Sequence, residues 1–179
     1  MKTAIKAVLA LCATFLLTAC DPTKDLKDAP VELGTFKLGH NIVVLPDPRA
    51  LPGSRSATKE EWQTAMTRAI DKRFGRYEGS KLFHLGISVD AYNLAAIDVP
   101  GIPTPKSVLG ITVTVWDDAK GIKLNPKPKT ITVLGVLSGA GIQPNKQTQL
   151  DNLAALAAKS IEKWLLENPE WFGLPPVEQ

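Results

Sequence analysis

Between residues 83 and 92 the chain alternates one for one, with Phe83, Leu85, Ile87, Val89 and Ala91 on one side and His84, Gly86, Ser88, Asp90 and Tyr92 on the other. A period of two sends successive side chains to opposite faces, so this run predicts a strand with one buried and one wet face. Leu109, Ile111, Val113 and Val115 alternate with Gly110, Thr112, Thr114 and Trp116 in the same way, and Asp117-Asp118-Ala119-Lys120-Gly121 ends that strand in a turn. Two more strands are expected. One runs from Phe36 to Leu45, bent at Gly39 and stopped by Pro46-Asp47-Pro48; the other runs from Thr130 to about Leu137, after Asn125-Pro126-Lys127-Pro128.

Two segments change to helical spacing. Thr58-Lys59-Glu60-Glu61 has the form of a capping box, and Trp62, Ala65, Met66, Ala69, Ile70, Phe74 and Tyr77 then recur at three and four, which predicts a helix over about 59–77. Leu150, Leu153, Ala154, Ala157, Ile161, Trp164 and Leu165 draw one stripe on a second helix, about Gln147 to Glu167, stopped by Asn168-Pro169. The order is β-α-β-β-β-α. One-sided strands and one-sided helices are satisfied together in an α+β fold, a mostly antiparallel four-stranded sheet with both helices packed on one face.

The front of the chain has a different pattern. Lys2 and Lys6 precede an apolar run from Ala7 to Leu17, and Leu17-Thr18-Ala19-Cys20 leads directly into Asp21-Pro22-Thr23-Lys24-Asp25. This is the charged start, short apolar middle and small-residue exit of an export signal. The run is too short to span a bilayer, which needs about 20 apolar residues. Leu17-Thr18-Ala19-Cys20 looks like the bacterial lipobox, in which the Cys thiol is alkylated by diacylglycerol and the bond before it is cut. Residues 1–19 are thus expected to be a lipoprotein signal peptide, 20–34 a lipidated Cys and flexible tether, and 35–179 a single domain. The tether assignment rests on the charges and prolines of 21–34, which show no periodicity.

Cysteine usage agrees with this expectation. Cys12 lies in the removed segment, so Cys20 is the one thiol of the mature chain and no internal disulfide can form. Two or three acyl chains suffice for stable anchoring where one is marginal. The expected location is the bacterial cell membrane, with the domain on the periplasmic side. Asp21 resembles an inner-membrane retention signal of some enteric bacteria, but that rule differs between lineages, so both membranes stay open.

Composition narrows the function. About 160 residues remain after the signal, enough for one core. Lys2 and Lys6 account for two of the 21 basic residues, leaving 19 against 18 acidic ones. That balance argues against a nucleic-acid partner held by phosphate neutralisation. His40 and His84 have no second His or Cys at ligand spacing, so neither a metal nor a cofactor is expected. There is no Gly-x-Ser-x-Gly. Gly139-Ala140-Gly141 lacks the Lys-Ser/Thr ending of a phosphate loop. Asp117 and Asp118 are adjacent and point to opposite sides of a strand end, which suits a turn better than a paired acid and base. The chain is therefore expected not to be an enzyme.

The remaining candidates are apolar or aromatic surfaces. Residues 93–105 carry Leu94, Ile97, Val99 and Ile102 without strand or helix rhythm, among three prolines. Such a loop either folds over the sheet edge as part of the core or contacts a partner, a lipid or the bilayer. Trp171 and Phe172, after the second helix stop, pose the same alternatives. The outer sheet face, with Gly86, Ser88, Thr112, Thr114, His84, Tyr92 and Trp116, is either solvated sheet or a platform for a second protein.

The lipobox, the short spacer, Val43-Val44-Leu45-Pro46, the early helix, the alternating strands, the Val115-to-Gly121 hairpin and the closing helix together resemble small periplasmic lipoproteins with an α+β sandwich. That group includes auxiliary lipoproteins of ABC transporters and the lipopolysaccharide-assembly lipoprotein. The resemblance covers residues 17 to about 167 and implies a non-catalytic accessory role in the cell envelope, with Cys20 the one functional residue carried over. The expected partners are the membrane, through the lipid anchor, and an envelope protein or lipid-like ligand. The alternative is a lipid-anchored hydrolase with an unrecognised site.

Overall fold

The computed structural model describes residues 22–95, 107–135 and 145–176. Its strands are β1 (Phe36–Val44), β2 (Arg49–Ala50), β3 (Lys81–Asn93), β4 (Ser107–Asp117), β5 (Ile122–Lys123) and β6 (Lys129–Gly135). Its helices are α1 (Lys59–Phe74) and α2 (Lys146–Leu166), with short 3-10 turns at Lys24–Lys27 and Pro169–Phe172. The capping box forms as expected. Glu61 N–H donates to Thr58 Oγ1 at 3.1 Å, and Thr58 N–H donates back to Glu61 Oε2 at 2.8 Å. α2 is capped by Asn145, whose Oδ1 accepts from Thr148 N–H at 2.8 Å.

The α+β class and the one-sided helices agree with the sequence pattern, but the sheet is larger and more mixed than expected. β3 and β4 are antiparallel, as are β4 and β6, whereas β1 and β2 both run parallel to β3. The reason is the 16-residue helix between β1 and β3, which carries the chain back to the starting end so that both strands leave in the same direction. β2 and β5 are two-residue strands that extend the sheet beside β3 and β4, too short to leave a periodicity. α1 packs on β1, α2 packs on β6 and β4, and the helices pack on each other, all on one side of the sheet.

Irregularities at two points set the faces. Pairing of β1 with β3 slips between Leu38 and Asn41, at the expected bend. A Cβ on Gly39 would lie 2.6 Å from the His84 ring, so only glycine lets that ring sit over the bend. In β3 the register shifts between Val89 and Ala91, and this reverses the phase of the residues beyond. Tyr92, expected on the wet face, is therefore buried, its ring 5.2 Å from Trp62.

The core lies between sheet and helices, and at one end it is aromatic. Phe36 stacks on Phe83 at 5.5 Å, and Phe172 meets both rings edge-on at 5.4 and 5.1 Å. Thr35 locks the closure, its N–H and hydroxyl both donating to the Phe172 carbonyl, at 2.9 and 3.0 Å. Residues 22–34 differ from the flexible spacer expected of them. Leu33 is buried in the core, and the turn at Lys24–Lys27 lies against both helices through Asp25.

Candidate functional site

The uncovered face of the sheet is the broadest candidate surface. Gly86 and Ser88 of β3 and Thr112, Thr114 and Trp116 of β4 point away from the helices, as the alternation predicts, and Thr130 and Thr132 of β6 join them. Exposed apolar side chains fringe this small, polar centre: Ile42 and Val44 on β1, Leu134 on β6 and Trp116 on β4. The described helices both lie on the opposite side. Asp90 ties the centre together, accepting from Ser88 Oγ at 2.7 Å and from Thr112 Oγ1 at 2.6 Å, so its carboxylate is already engaged. Lys123 places its ammonium 5.3 Å from the Trp116 ring centre, a cation–π contact at the rim.

At the same rim the fold brings together residues that are far apart in the chain. The rings of His40 and His84 stack at 4.8 Å. The backbone N–H of His40 donates to His84 Nδ1 at 2.9 Å, and His84 Nε2 lies 2.8 Å from Asp118 Oδ1. With Nδ1 held as an acceptor, the ring hydrogen is on Nε2 and is donated to Asp118. Neither nitrogen then offers a free lone pair, which a general base requires. Asp117 turns the other way, buried, and accepts from Lys120 N–H at 3.0 Å, in keeping with the turn role read from the sequence. Among the described residues no group of three His, Cys, Asp or Glu side chains could hold a metal ion.

Two of the surface candidates belong to the core. Leu94 is fully buried, because its own N–H and carbonyl bind Ser54 Oγ and Arg55 N–H and fold the chain inward. Phe172 is fully buried in the aromatic cluster, placed there by the 3-10 turn after the Asn168-Pro169 stop. Trp171 is half-buried, edge-on to Trp164 at 5.4 Å. Trp116 alone of these candidates remains an exposed surface aromatic, at 37%. Ile97, Val99 and Ile102 lie outside the described residues, as does Cys20.

A second polar cluster, unexpected from the sequence, lies between the helices. Arg73 of α1 is only 1% exposed and pairs with Glu162 of α2 and with Asp25. Tyr77 donates to Glu162 Oε1 at 2.8 Å, and burial together with that bond pushes its hydroxyl pKa up. The Arg73 guanidinium holds Asp25 down at about 2, with Lys159 assisting. Beside this cluster a cleft of about 230 Å³ opens between α1 and α2, lined by Thr23, Leu26, Ala65, Arg68, Lys72 and Ala155 among others. The signal for this cluster was present in the sequence: Arg73 and Glu162 each fall within an apolar helical stripe, where a charge needs a partner.

No protein-family profile matches the chain, and no curated protein does. Solved structures of low similarity do match. Protein XCC0632 from Xanthomonas campestris, assigned to DUF330, aligns at 11% identity over 82% of this chain and 94% of its own, with a TM-score of 0.45. A candidate lipoprotein from Caulobacter crescentus CB15 aligns at 17% identity over 76% of this chain and 93% of its own, TM-score 0.38. A minor lipoprotein from Acinetobacter baumannii aligns at 18% identity over 72% and 93%, TM-score 0.34. Among the described residues no helix is long and apolar enough to cross a membrane.

Proposed function

We propose that the protein is a lipid-anchored, non-catalytic accessory protein of the bacterial envelope that binds another protein or a lipid-like ligand through the open face of its sheet. The observation that carries this reading is the face itself, a centre of small and polar side chains with an exposed fringe of Ile42, Val44, Leu134 and Trp116. Aromatic residues at such positions are common anchors of interfaces. The anchor is supported by the lipobox at Leu17-Thr18-Ala19-Cys20 and the export signal before it. The non-catalytic role is supported by His84, whose two ring nitrogens are both engaged.

The test joins anchor and face. Palmitate labelling in the native bacterium is expected for the wild type and lost in Cys20→Ser, and a photo-crosslinking residue at position 116 is expected to give a discrete adduct that one at position 152, exposed on α2, does not. Label retained by Cys20→Ser, or the same adducts from both positions, overturns the reading. Stoichiometric reaction of one serine with a general serine-hydrolase reagent would instead favour the lipid-anchored hydrolase.

A further inference from the structure

The segment just after the expected lipid attachment point is clasped to the helix side of the domain. Arg73 donates from Nη1 to Asp25 Oδ2 at 3.0 Å and from Nη2 to Asp25 Oδ1 at 3.1 Å, and Nη2 also donates to the Pro22 carbonyl at 3.1 Å. From α2, Lys159 reaches the same carboxylate at 3.3 Å. Arg76 donates to the Asp28 carbonyl at 2.9 Å. The turn therefore bridges both helices on the side away from the sheet. In the sequence only Asp21 separates Cys20 from Pro22. A free 14-residue spacer would let the domain wander roughly 20 Å from its anchor in any orientation. The clasp removes nearly all of that freedom.

The charge around the clasp is positive. Lys24, Lys27 and Lys72 are exposed and make no ion pair among the described residues. Of the neighbouring carboxylates, Asp25 is paired with Arg73 and Lys159, Glu162 with Arg73 and Arg76, and Asp151 with Arg68; Asp28 and Asp71 remain. Cations held next to a bilayer are drawn to anionic headgroups, within a Debye length of about 8 to 10 Å.

We propose that the helix layer rests on anionic phospholipid headgroups, with the Asp25–Arg73 clasp fixing the lipid attachment to that side, so that the open sheet face is turned away from the bilayer. This orientation rests on the lipid-anchor reading above. It leaves the sheet face free for a partner in the periplasm and keeps it from lying flat on the membrane.

The test uses the mature full chain purified from membranes, with its acylation read by mass spectrometry. Because lipid occupies Cys20 and Cys12 is in the removed segment, one introduced cysteine is the only free thiol. A fluorophore at Thr64→Cys, exposed on α1, is compared with one at Thr114→Cys on the open face, in vesicles of phosphatidylglycerol and phosphatidylcholine that carry a headgroup-attached spin-labelled quencher. Quenching is expected to be several-fold greater at position 64 than at 114. The ratio is expected to fall toward one in high salt, in Lys24→Glu with Lys27→Glu, and in Asp25→Asn.

An acylated chain with equal quenching at the two positions, or more at 114, overturns the orientation and leaves the lipoprotein reading standing. A ratio unmoved by salt and by the charge reversals overturns the headgroup attraction. A chain without acyl groups overturns the anchor and this orientation with it. Charge-dependent capture of an acidic protein by the lysines, with no quenching difference, would assign the basic surface to that protein and not to the membrane.

Discussion

Replacing Asp25 by Asn tests how far the N-terminal segment belongs to the folded domain. The change keeps the shape of the side chain and removes the charge that Arg73 grips with both terminal nitrogens, at 3.0 and 3.1 Å. Two routes give the magnitude. Lowering the carboxyl from 3.8 to about 2 corresponds to roughly 2.4 kcal/mol at 1.36 kcal/mol per pH unit. Asp25 is 37% exposed, however, and solvent screening reduces that to about 1 to 1.5 kcal/mol. Independently, a hydrogen bond to a charged group is worth about 1.5 to 3 kcal/mol, and the neutral amide of Asn retains part of it.

A loss of about 1 to 2 kcal/mol at pH 7 is expected by both routes, or a fall of roughly 2 to 8 °C in melting temperature for a domain of this size. The pH dependence gives the sign. Because the folded-state value is depressed, the stabilisation is complete above about pH 4 and is lost as pH falls through about 2. The assay is urea unfolding monitored by the fluorescence of the buried Trp62 and Trp164, at pH 7 and at pH 2.5. A difference below about 0.3 kcal/mol at pH 7, within the scatter of surface substitutions, would show that the Asp25 carboxylate contributes nothing to the fold. A difference as large at pH 2.5 as at pH 7 would show that charge is not its origin.

Phe172→Ala is expected to cost about 3 to 5 kcal/mol, because it opens a cavity against Phe36 and Phe83, whereas Trp116→Ser should stay within about 0.5 kcal/mol; urea titrations of the pair check this, and equal costs would refute the assignment of core and open face. Gly39→Ala places a methyl 2.6 Å from the His84 ring, so the ring must leave its bond to the His40 N–H. A stability loss of about 1 to 2 kcal/mol is expected together with a displaced His84 Cε1 proton resonance, and an unmoved resonance would refute the contact.

Where one local rule governed the outcome, the sequence was legible. The strands of 83–89 and 109–115 and the capping box at Thr58 depend on neighbouring residues, and each forms where its pattern lies. The parallel direction of β1 could not be read, since alternation marks a face and carries no sign for direction. Ala91, expected on the buried face, and Tyr92, expected on the wet one, exchange places because one irregularity after Val89 inverts the alternation in the last residues of β3. The spacer was misread because the group that docks it, Arg73, is 48 residues away in the chain, and composition alone gives charged, proline-rich segments no place to bind. His40 and His84, 44 residues apart, meet only when β1 lies beside β3.

The aromatic closure around Phe172 also constrains when the domain can form. Its Thr35 partner lies 137 residues earlier, and the ring packs on Phe36 and Phe83 from the first half of the chain. During synthesis the early aromatics therefore wait, unsatisfied, until the chain beyond α2 has emerged, and closing so long a loop carries an entropic cost that local pairing does not offset beforehand. A polypeptide broken off before residue 172 leaves Phe36 and Phe83 without the ring that covers them.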